Sequence, residues 1–519
     1  MLKPIEHIVV VGGGTAGWLT AATIAAEYRN DPGGVSITLV ESDETGPIGV
    51  GEGTWPSMRT TLQKIGISET DFFRECDVSF KQGSKFTGWL DGGTESYYHP
   101  FTLPQGYREI NLADFWFPHR DKISFAEAVC PQIPVCERHA APKQISTPDY
   151  AAALNYGYHL DATQFAVLLR KHATEKLGVK HIVDHVVKVN ASTDGDIASI
   201  QGKNQGDISG DLFIDCSGFV SLLLGKHYGI PMVNKSEILF NDRALAVQVP
   251  YTSENDPIAS ATLATAQDAG WIWDIGLPTR RGTGYVFSSR YTSEDEALHV
   301  LRSYIKTTGS GVPPDELKAR LINIDPGHRK VFWHKNCVAV GLASGFIEPL
   351  EASALVLVEL AARMLAEQLP ANRQIMDIVA RKFNEKFTYR WQQVIGFLKL
   401  HYVISRRTDT PYWVDNRSPE SIPPELTEQL ALWRSRSPWF RDESHVDEMF
   451  PSASYQYVLY GMQFDSASHN DRRRAMASEQ QRSRELFETN SKSVEKLLAN
   501  LPTNRDLIGQ IKTQGFSKI

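Results

Sequence analysis

Hydrophobic positions along this chain change rhythm repeatedly, and each change marks an element. Ile8-Val9-Val10-Val11 is a β-branched run that reads as a strand; three glycines end it, and the small-residue stretch Ala16 to Tyr28 reads as a helix. Ser36 to Val40 is a second apolar strand, and Asp211 to Asp215 another, running into the small-residue turn Cys216-Ser217-Gly218. Trp271-Ile272-Trp273-Asp274-Ile275 has period two, which puts both tryptophans and Ile275 on one strand face. Ala244 to Val249 and Gly284 to Tyr291 are candidate inserted antiparallel strands, and Leu355 to Leu365 continues a loop as a helix. From Gln374 the pattern turns helical, with Trp391, Val394, Phe397 and Leu398 marking one face. Beyond Ser466 the chain is polar; Arg472-Arg473-Arg474 reads as a solvated helix face, and Ser493 to Asn500 as a short amphipathic helix capped by Ser493.

These elements predict an α/β chain in two parts: an α/β body over residues 1–370 and a mainly helical lobe over 371–519 that covers a cavity. The uncharged stretch Ile8 to Ala26 is long enough to resemble a membrane span, but Gly12, Gly13 and Gly14 would weaken a spanning helix, so a strand, turn and helix are expected and no membrane contact. At 519 residues with 42% hydrophobic and 22% charged positions, the chain is long and apolar enough for a sizeable core. A net charge of −7 argues against a nucleic-acid partner. Five cysteines without a CxxC pair disfavour disulfides and a metal site, which fits the cytoplasm.

The first candidate chemistry lies in the amino-terminal βαβ unit. Gly12-x-Gly14-x-x-Gly17 stands between the strand and the helix: Gly12 permits the tight turn, Gly14 the approach of a pyrophosphate and Gly17 close helix packing. Glu41 ends the second strand, where a carboxylate can accept from ribose hydroxyls, with no adjacent arginine in the sequence to favour a 2′-phosphate. An ordinary glycine turn is the bland alternative, and strand, helix and acidic end together outweigh it. The fingerprint leaves NAD and FAD both open. Gly46 to Thr54 forms a second glycine-rich loop suited to an extended ligand.

Taken with Gly49-Val-Gly-Glu-Gly-Thr54, Phe80-Lys81, Asp215-Cys-Ser-Gly-Phe219, Trp271-x-Trp273-x-Ile275 and Gly345-Phe-Ile-Glu-Pro-Leu-Glu351, the chain resembles the flavin-dependent tryptophan halogenase family, a branch of the FAD-binding monooxygenase fold. The resemblance implies a Rossmann-like FAD-binding domain with an inserted antiparallel sheet and a C-terminal helical lobe. It implies FAD supplied as FADH2 by a separate NAD(P)H-dependent flavin reductase, with O2 and chloride or bromide as co-substrates. The expected activity is halogenation of an electron-rich aromatic such as an indole, through a flavin hydroperoxide and hypohalous acid. A homodimer is one candidate assembly. Flavin contacts carry over to Gly12, Gly14, Thr15, Ala16, Gly17, Glu41, Val50, Gly51, Glu52 and Asp215.

By the same resemblance Lys81 is the catalytic lysine, holding hypohalous acid by hydrogen bonding or carrying the halogen on its amine; Lys85, four residues on, is the decoy. A solvated lysine is the default for this residue type. Glu351 is the glutamate that stabilises the cationic arene and takes its proton, whereas a carboxylate favoured at a helix start is the bland reading. Trp271 and Trp273 form the wall between flavin and substrate, against a plain aromatic core strand, and His99 and Phe101 line the substrate cavity. The amides of Ser353 and Ala354 bind halide.

Two departures from the family pattern bear on these roles. Gly276 replaces the proline after Trp-x-Trp-x-Ile, predicting a looser turn. Ala352-Ser353-Ala354 replaces Ser-Thr-Gly, and alanine at 354 disfavours φ > 0 and narrows the space for an anion. Tyr455 and Tyr457 are not adjacent, so the tyrosine pair that grips an amino acid is missing and free tryptophan is not expected. The altered halide loop keeps two other functions open: a flavin monooxygenase that hydroxylates an aromatic, and a non-catalytic flavin or aromatic-ligand binding protein.

Overall fold

The structure, a computed structural model, describes residues 3–28, 34–43, 51–443, 445, 448–466 and 476–517. The chain divides into two compact units, neither of them continuous: Met1–Asp77 with Leu160–Lys235 and Asp325–Trp391, and Val78–His159 with Ser236–Ile324 and Gln392–Ile519. The sequence reading cut the chain once, after residue 370; the units instead interleave.

The first unit is built on a six-stranded sheet in the order Trp333–His334, Cys337–Ala339, Leu212–Asp215, His7–Val11, Ser36–Glu41, Lys180–Val183. His7–Val11 pairs in parallel with Ser36–Glu41 on one side, Ile8 opposite Ile37, and with Leu212–Asp215 on the other, Val11 opposite Asp215. The β-branched run therefore becomes a central strand: Val9, Val11, Val40, Phe213 and Ala339 share one buried cluster. Helix Thr15–Glu27 follows the glycine turn and packs on helix Ser353–Glu367. No described helix is long and apolar enough to cross a membrane.

The second unit carries a seven-stranded sheet in the order Arg320–Asn323, Arg243–Pro250, Arg280–Phe287, Gly270–Gly276, Thr262–Gln267, Gly83–Thr87, Ser96–Pro100, antiparallel throughout except where Thr262–Gln267 meets Gly83–Thr87. One face, with Leu245, Val247, Ile272 and Phe287, packs on Ala297, Leu301 and Ile305 of helix Glu294–Thr308. That helix starts at a capping box, Ser293 with Glu296. Trp271 and Trp273 lie on the opposite face, as their period-two spacing predicts.

Three local expectations are corrected. The candidate strand Gly284 to Tyr291 is instead Arg280–Phe287, ending before Tyr291, because Ser288 already bonds back to Ala269. Gly276 does not loosen the hairpin: Leu277 N–H donates to Arg280 C=O at 2.9 Å, a tight closure that needs no proline. Ser493 is no N-cap but an interior residue of helix Met476–Asn500, its hydroxyl donating to the Thr489 carbonyl one turn back at 2.8 Å. Arg472-Arg473-Arg474 lies outside the described residues. Trp391, Val394, Phe397 and Leu398 are all buried on helix Arg373–Val403.

Candidate active site

The glycine fingerprint forms a cradle in the first unit. Gly12 has φ +115°, and a Cβ there would lie 2.1 Å from the Cys216 carbonyl oxygen; a Cβ on Gly17 would lie 1.9 Å from that of Gly12. A Cβ on Gly14 would meet nothing within 4 Å, so the space before the helix start is open. That combination of a crowded turn and an open Gly14 fits a dinucleotide pyrophosphate. Thr15 and Ala16 begin the helix; the Thr15 hydroxyl donates to the Ala162 carbonyl at 3.2 Å. Gly13, which has no place in the fingerprint, has its own constraint: a Cβ there would collide with the Glu41 carboxylate.

Glu41 ends its strand as expected, but it is not surrounded as expected. His181 Nε2 lies 2.7 Å and Arg170 Nη1 3.9 Å from Glu41 Oε1. The arginine absent from the neighbouring sequence is thus supplied by helix Ala162–Lys176. Asp215 is a second correction. It is fully buried, and its carboxylate accepts from Ser217 N–H and hydroxyl, the Ser221 hydroxyl, and Leu223 and Leu224 N–H. Five internal donors make it the anchor of the turn beside Gly12 rather than a carboxylate reaching for a ligand. Gly51 adopts φ +133° ahead of strand Glu52–Gly53. Burial, with repulsion from Asp161, pushes the Glu52 carboxyl up to about 7. Val50 lies outside the described residues.

The glutamate loop belongs to the same unit. Strand Cys337–Ala339 pairs in parallel with Leu212–Asp215 and delivers the chain to Gly341, whose Cβ position lies 2.7 Å from the Ala16 Cβ; only glycine lets this loop sit so close to the fingerprint helix. After Pro349 the backbone reverses through two left-handed residues, Glu351 (φ 62°, ψ 7°) and Ala352 (φ 54°, ψ 46°). Each costs about 1–2 kcal/mol in a non-glycine residue. The Trp55 indole N–H donates to the Glu351 carbonyl at 2.8 Å and helps to hold the turn. Glu351 is 7% exposed.

Ser353 then returns to right-handed geometry (φ −79°, ψ −13°) and starts helix Ser353–Glu367. A left-handed residue followed by a right-handed one gathers successive amides into a concavity for an anion, and a helix start leaves its first amides without an intrahelical acceptor. The concern over Ala354 is therefore displaced. Ala354 is an exposed residue of the helix's first turn and needs no positive φ; the strain falls on Glu351 and Ala352.

The second unit holds Lys81. It ends strand Ser79–Lys81, which pairs antiparallel with Gly157–Leu160, Lys81 opposite Gly157. Its side chain is buried, 1% exposed, with Nζ 5.4 Å from the centroid of the Phe101 ring. Lys85 is more exposed; its Nζ is 2.7 Å from Glu137 Oε1, and the Tyr98 hydroxyl donates to the same oxygen at 2.9 Å. Strand neighbours pin the Lys81 segment. The Ser79 hydroxyl donates to the Gly276 carbonyl at 2.5 Å, Gln82 N–H to Ser260 C=O at 2.7 Å, and Phe101 N–H to Gln82 C=O at 3.0 Å.

Aromatic side chains fill this unit. Trp271 and Trp273 have ring centroids 6.4 Å apart, and Trp271 adjoins Trp89 at 6.3 Å. Gly284, opposite Trp273, leaves the space its indole occupies: a Cβ there would lie 2.2 Å from the ring. His99 is buried between Phe397, at 5.5 Å, and Tyr457, at 6.4 Å. Phe397 also stacks on Phe450 at 3.8 Å and meets Tyr455 edge-on at 5.0 Å. None of Phe397, Phe450 or Tyr457 was singled out as a site residue; Phe397 alone carried a signal, through its helical face.

The family model for tryptophan halogenase matches residues 7–478. Tryptophan 6-halogenase SttH from Streptomyces toxytricini is 32% identical over 477 residues, covering 88% of this chain and 89% of the relative. The crystal structure of a tryptophan halogenase from Shewanella frigidimarina NCIMB 400 superposes with a TM-score of 0.96 at 50% identity, covering 100% of this chain and 99% of that one. Tar14, a tryptophan C-6 flavin-dependent halogenase (chlorinase) from taromycin biosynthesis, superposes with a TM-score of 0.90 at 32% identity, covering 98% and 100%. On these matches the chain belongs to the tryptophan halogenase family of flavin-dependent halogenases.

Proposed function

We propose that this enzyme uses FADH2, delivered by a separate flavin reductase, with O2 and halide to halogenate an electron-rich arene such as an indole. Gly12, Gly14, Thr15, Ala16 and Gly17 would hold the pyrophosphate and Glu41 the ribose. When bound, the reduced flavin would supply two electrons that bring O2 to the peroxide level, and that oxygen would oxidise halide by two electrons to hypohalous acid, leaving oxidised FAD and water. The amides of Ser353 and Ala354 hold the halide, Trp271 and Trp273 keep the arene from the flavin, and His99 and Phe101 line its cavity.

Lys81 donates a hydrogen bond to the oxygen of hypohalous acid. As the arene carbon bonds to the halogen, the oxygen–halogen bond breaks and the oxygen leaves as water with a proton from the ammonium. Glu351 stabilises the cationic arene and takes the proton from the carbon that was attacked, so the sum is arene plus hypohalous acid giving haloarene plus water. The Phe101 ring lies 5.4 Å from the Lys81 Nζ, a face on which an ammonium would be favoured. The observation that carries the reading is the buried Lys81 side chain, 1% exposed, with its Nζ 5.4 Å from the Phe101 ring.

The test supplies the purified enzyme with FAD, NADH and a flavin reductase, with bromide or chloride, and a panel of indole, tryptophan and phenols. Haloarenes, with bromide faster than chloride because it is easier to oxidise, are expected. No halogenated product with either halide overturns the proposal, and label from oxygen-18 dioxygen in the arene product marks hydroxylation instead. The tryptophan arm reports whether an amino-acid group is recognised.

A further inference from the structure

The Lys81 strand is held by a residue 424 positions away, Asn504. Asn504 opens helix Asn504–Gln514, beyond the end of the matched family region at 478, and is fully buried. Its carboxamide meets both backbone groups of Phe80: Oδ1 accepts from Phe80 N–H at 3.4 Å, and Nδ2 donates to Phe80 C=O at 3.2 Å. One donor and one acceptor matched to a single strand residue is how a neighbouring strand would bind it. Asn504 itself is fixed, its N–H donating to His139 C=O at 2.7 Å, with Thr503 capping the helix through Asp506 N–H at 3.1 Å. Arg505, next in the chain, donates to Pro278 C=O at 3.2 Å.

The position of that bond matters more than its strength. The Phe80 carbonyl belongs to the same planar amide as the Lys81 N–H, so a donor on that oxygen sets the plane from which the Lys81 side chain departs. On the other side of Lys81, the Lys81–Gln82 amide is set by Gln82 N–H on Ser260 C=O at 2.7 Å. Gln82 Oε1 accepts from Gln132 Nε2 at 3.2 Å, and Gln132 Oε1 accepts from Thr102 N–H at 2.9 Å, next to Phe101. Both peptide planes flanking the lysine are thereby pinned, one by the sheet neighbourhood and the other by a side chain of the C-terminal helix. An ammonium that must meet a small, diffusible acid needs that fixity, because an error of about 1 Å in placing a catalytic group costs on the order of 100-fold.

We infer that Asn504 is a positioning residue for Lys81: it orients the Phe80–Lys81 peptide so that the ammonium captures hypohalous acid before it escapes. The inference rests on the role assigned to Lys81 above. Losing Asn504 should therefore leave hypohalous acid formation intact and damage its transfer to the arene.

The experiment measures product formed per FADH2 consumed, with monochlorodimedone in solution to trap escaped hypohalous acid, in the wild type, Asn504→Ala, Asn504→Asp, Asn504→Ser, Thr503→Ala and Lys81→Ala. Folding is followed by thermal melting. For Asn504→Ala and Asn504→Asp we expect FADH2 consumption within 2-fold of wild type, product per FADH2 down at least 5-fold, and the difference recovered in the trap. Asn504→Ser keeps a short polar group and should fall between; it decides the matter if the harsher variants do not fold. Thr503→Ala removes only the cap, so it should melt earlier and stay coupled. Wild-type coupling in any folded Asn504 variant overturns the inference, as does equal uncoupling in Thr503→Ala. If Lys81→Ala stays coupled, the role of Lys81 itself falls, an outcome separate from the Asn504 result.

Discussion

The lysine strand and the glutamate loop solve opposite problems. Ser79–Lys81 is regular strand paired with Gly157–Leu160, and the role proposed for it sits in one side chain. Pro349 to Ser353 is irregular, with two left-handed non-glycine residues in succession, and half of the role proposed for it belongs to backbone amides. A side chain that must hold a neutral molecule works best on an unstrained platform, whereas a backbone anion site has to bend the chain away from regular structure to aim its N–H groups. The strand is consequently sensitive to which residue occupies it; the loop is sensitive to φ and ψ and tolerates Ala-Ser-Ala.

The largest break in this comparison is Lys81→Ala, which we expect to lower product formation by about 1,000-fold while flavin oxidation continues, in the range seen when a single preorganised donor is removed. Lys85→Ala, which removes the ion pair to Glu137 and the contact with the Tyr98 ring on a partly exposed side chain, should change turnover less than 3-fold. Steady-state halogenation of indole, read by chromatography beside oxygen uptake, separates the two. Next in size is Glu351→Gln on the loop. It keeps the shape and the left-handed turn but loses the proton acceptor, so kcat should drop about 100-fold with little change in halide KM. A raised halide KM instead would mean that the carboxylate shapes the anion site.

A third effect reads the loop's helix through its stability. Glu359 on helix Ser353–Glu367 is 4% exposed and accepts from Ser57 at 3.1 Å and Thr61 at 2.6 Å. Burial pushes its carboxyl from 4.5 up to about 7 against those hydrogen bonds. Below pH 4.5 the group is protonated in both states. Between 4.5 and 7 the folded protein keeps a proton that the unfolded chain has lost, so stability falls as pH rises, and above 7 the full cost is present. Glu359→Gln cannot ionise. Relative to wild type it should therefore gain up to about 3 kcal/mol between pH 5 and pH 8.5, seen as a melting difference that grows with pH. The Lys85–Glu137 pair in the second unit works the other way: hydrogen bonds from Lys85 and Tyr98 hold Glu137 below the usual carboxylate range.

How far the sequence reached depends on how local each feature is. The glycine turn, the β-branched strand and the period-two tryptophans are set by neighbours within a few residues, and the structure has them where the pattern puts them. What was not legible is what long-range packing decides. His181 reaches Glu41 from the paired strand Lys180–Val183 and Arg170 from helix Ala162–Lys176, which Glu41's own neighbours do not announce. Asp215 looks like a ligand carboxylate until the five donors that consume it are seen together. Substituting alanine for glycine in the halide loop pointed to strain at Ala354, yet φ depends on where the helix begins. It begins one residue earlier, at Ser353.

The smallest effect is the most discriminating, because one chemical change is made in both regions. Ala264 lies in regular strand Thr262–Gln267, 2% exposed, opposite Trp273. Ala264→Gly removes a buried methyl and adds backbone freedom to the unfolded chain, so it should destabilise by about 1–2 kcal/mol. Ala352→Gly makes the identical substitution at φ 54°, where glycine relieves a cost of about 1 kcal/mol or more that alanine carries. The relief exceeds the added unfolded-state entropy by a few tenths of a kcal/mol, so the sign reverses and the melting temperature rises by roughly 0.3 °C. Bromide KM should stay within 2-fold, because glycine occupies the same left-handed region and leaves the amides of Ser353 and Ala354 aimed as before. A melting temperature that falls in both variants would mean the loop is held as rigidly as the strand, and the contrast between the two regions would disappear.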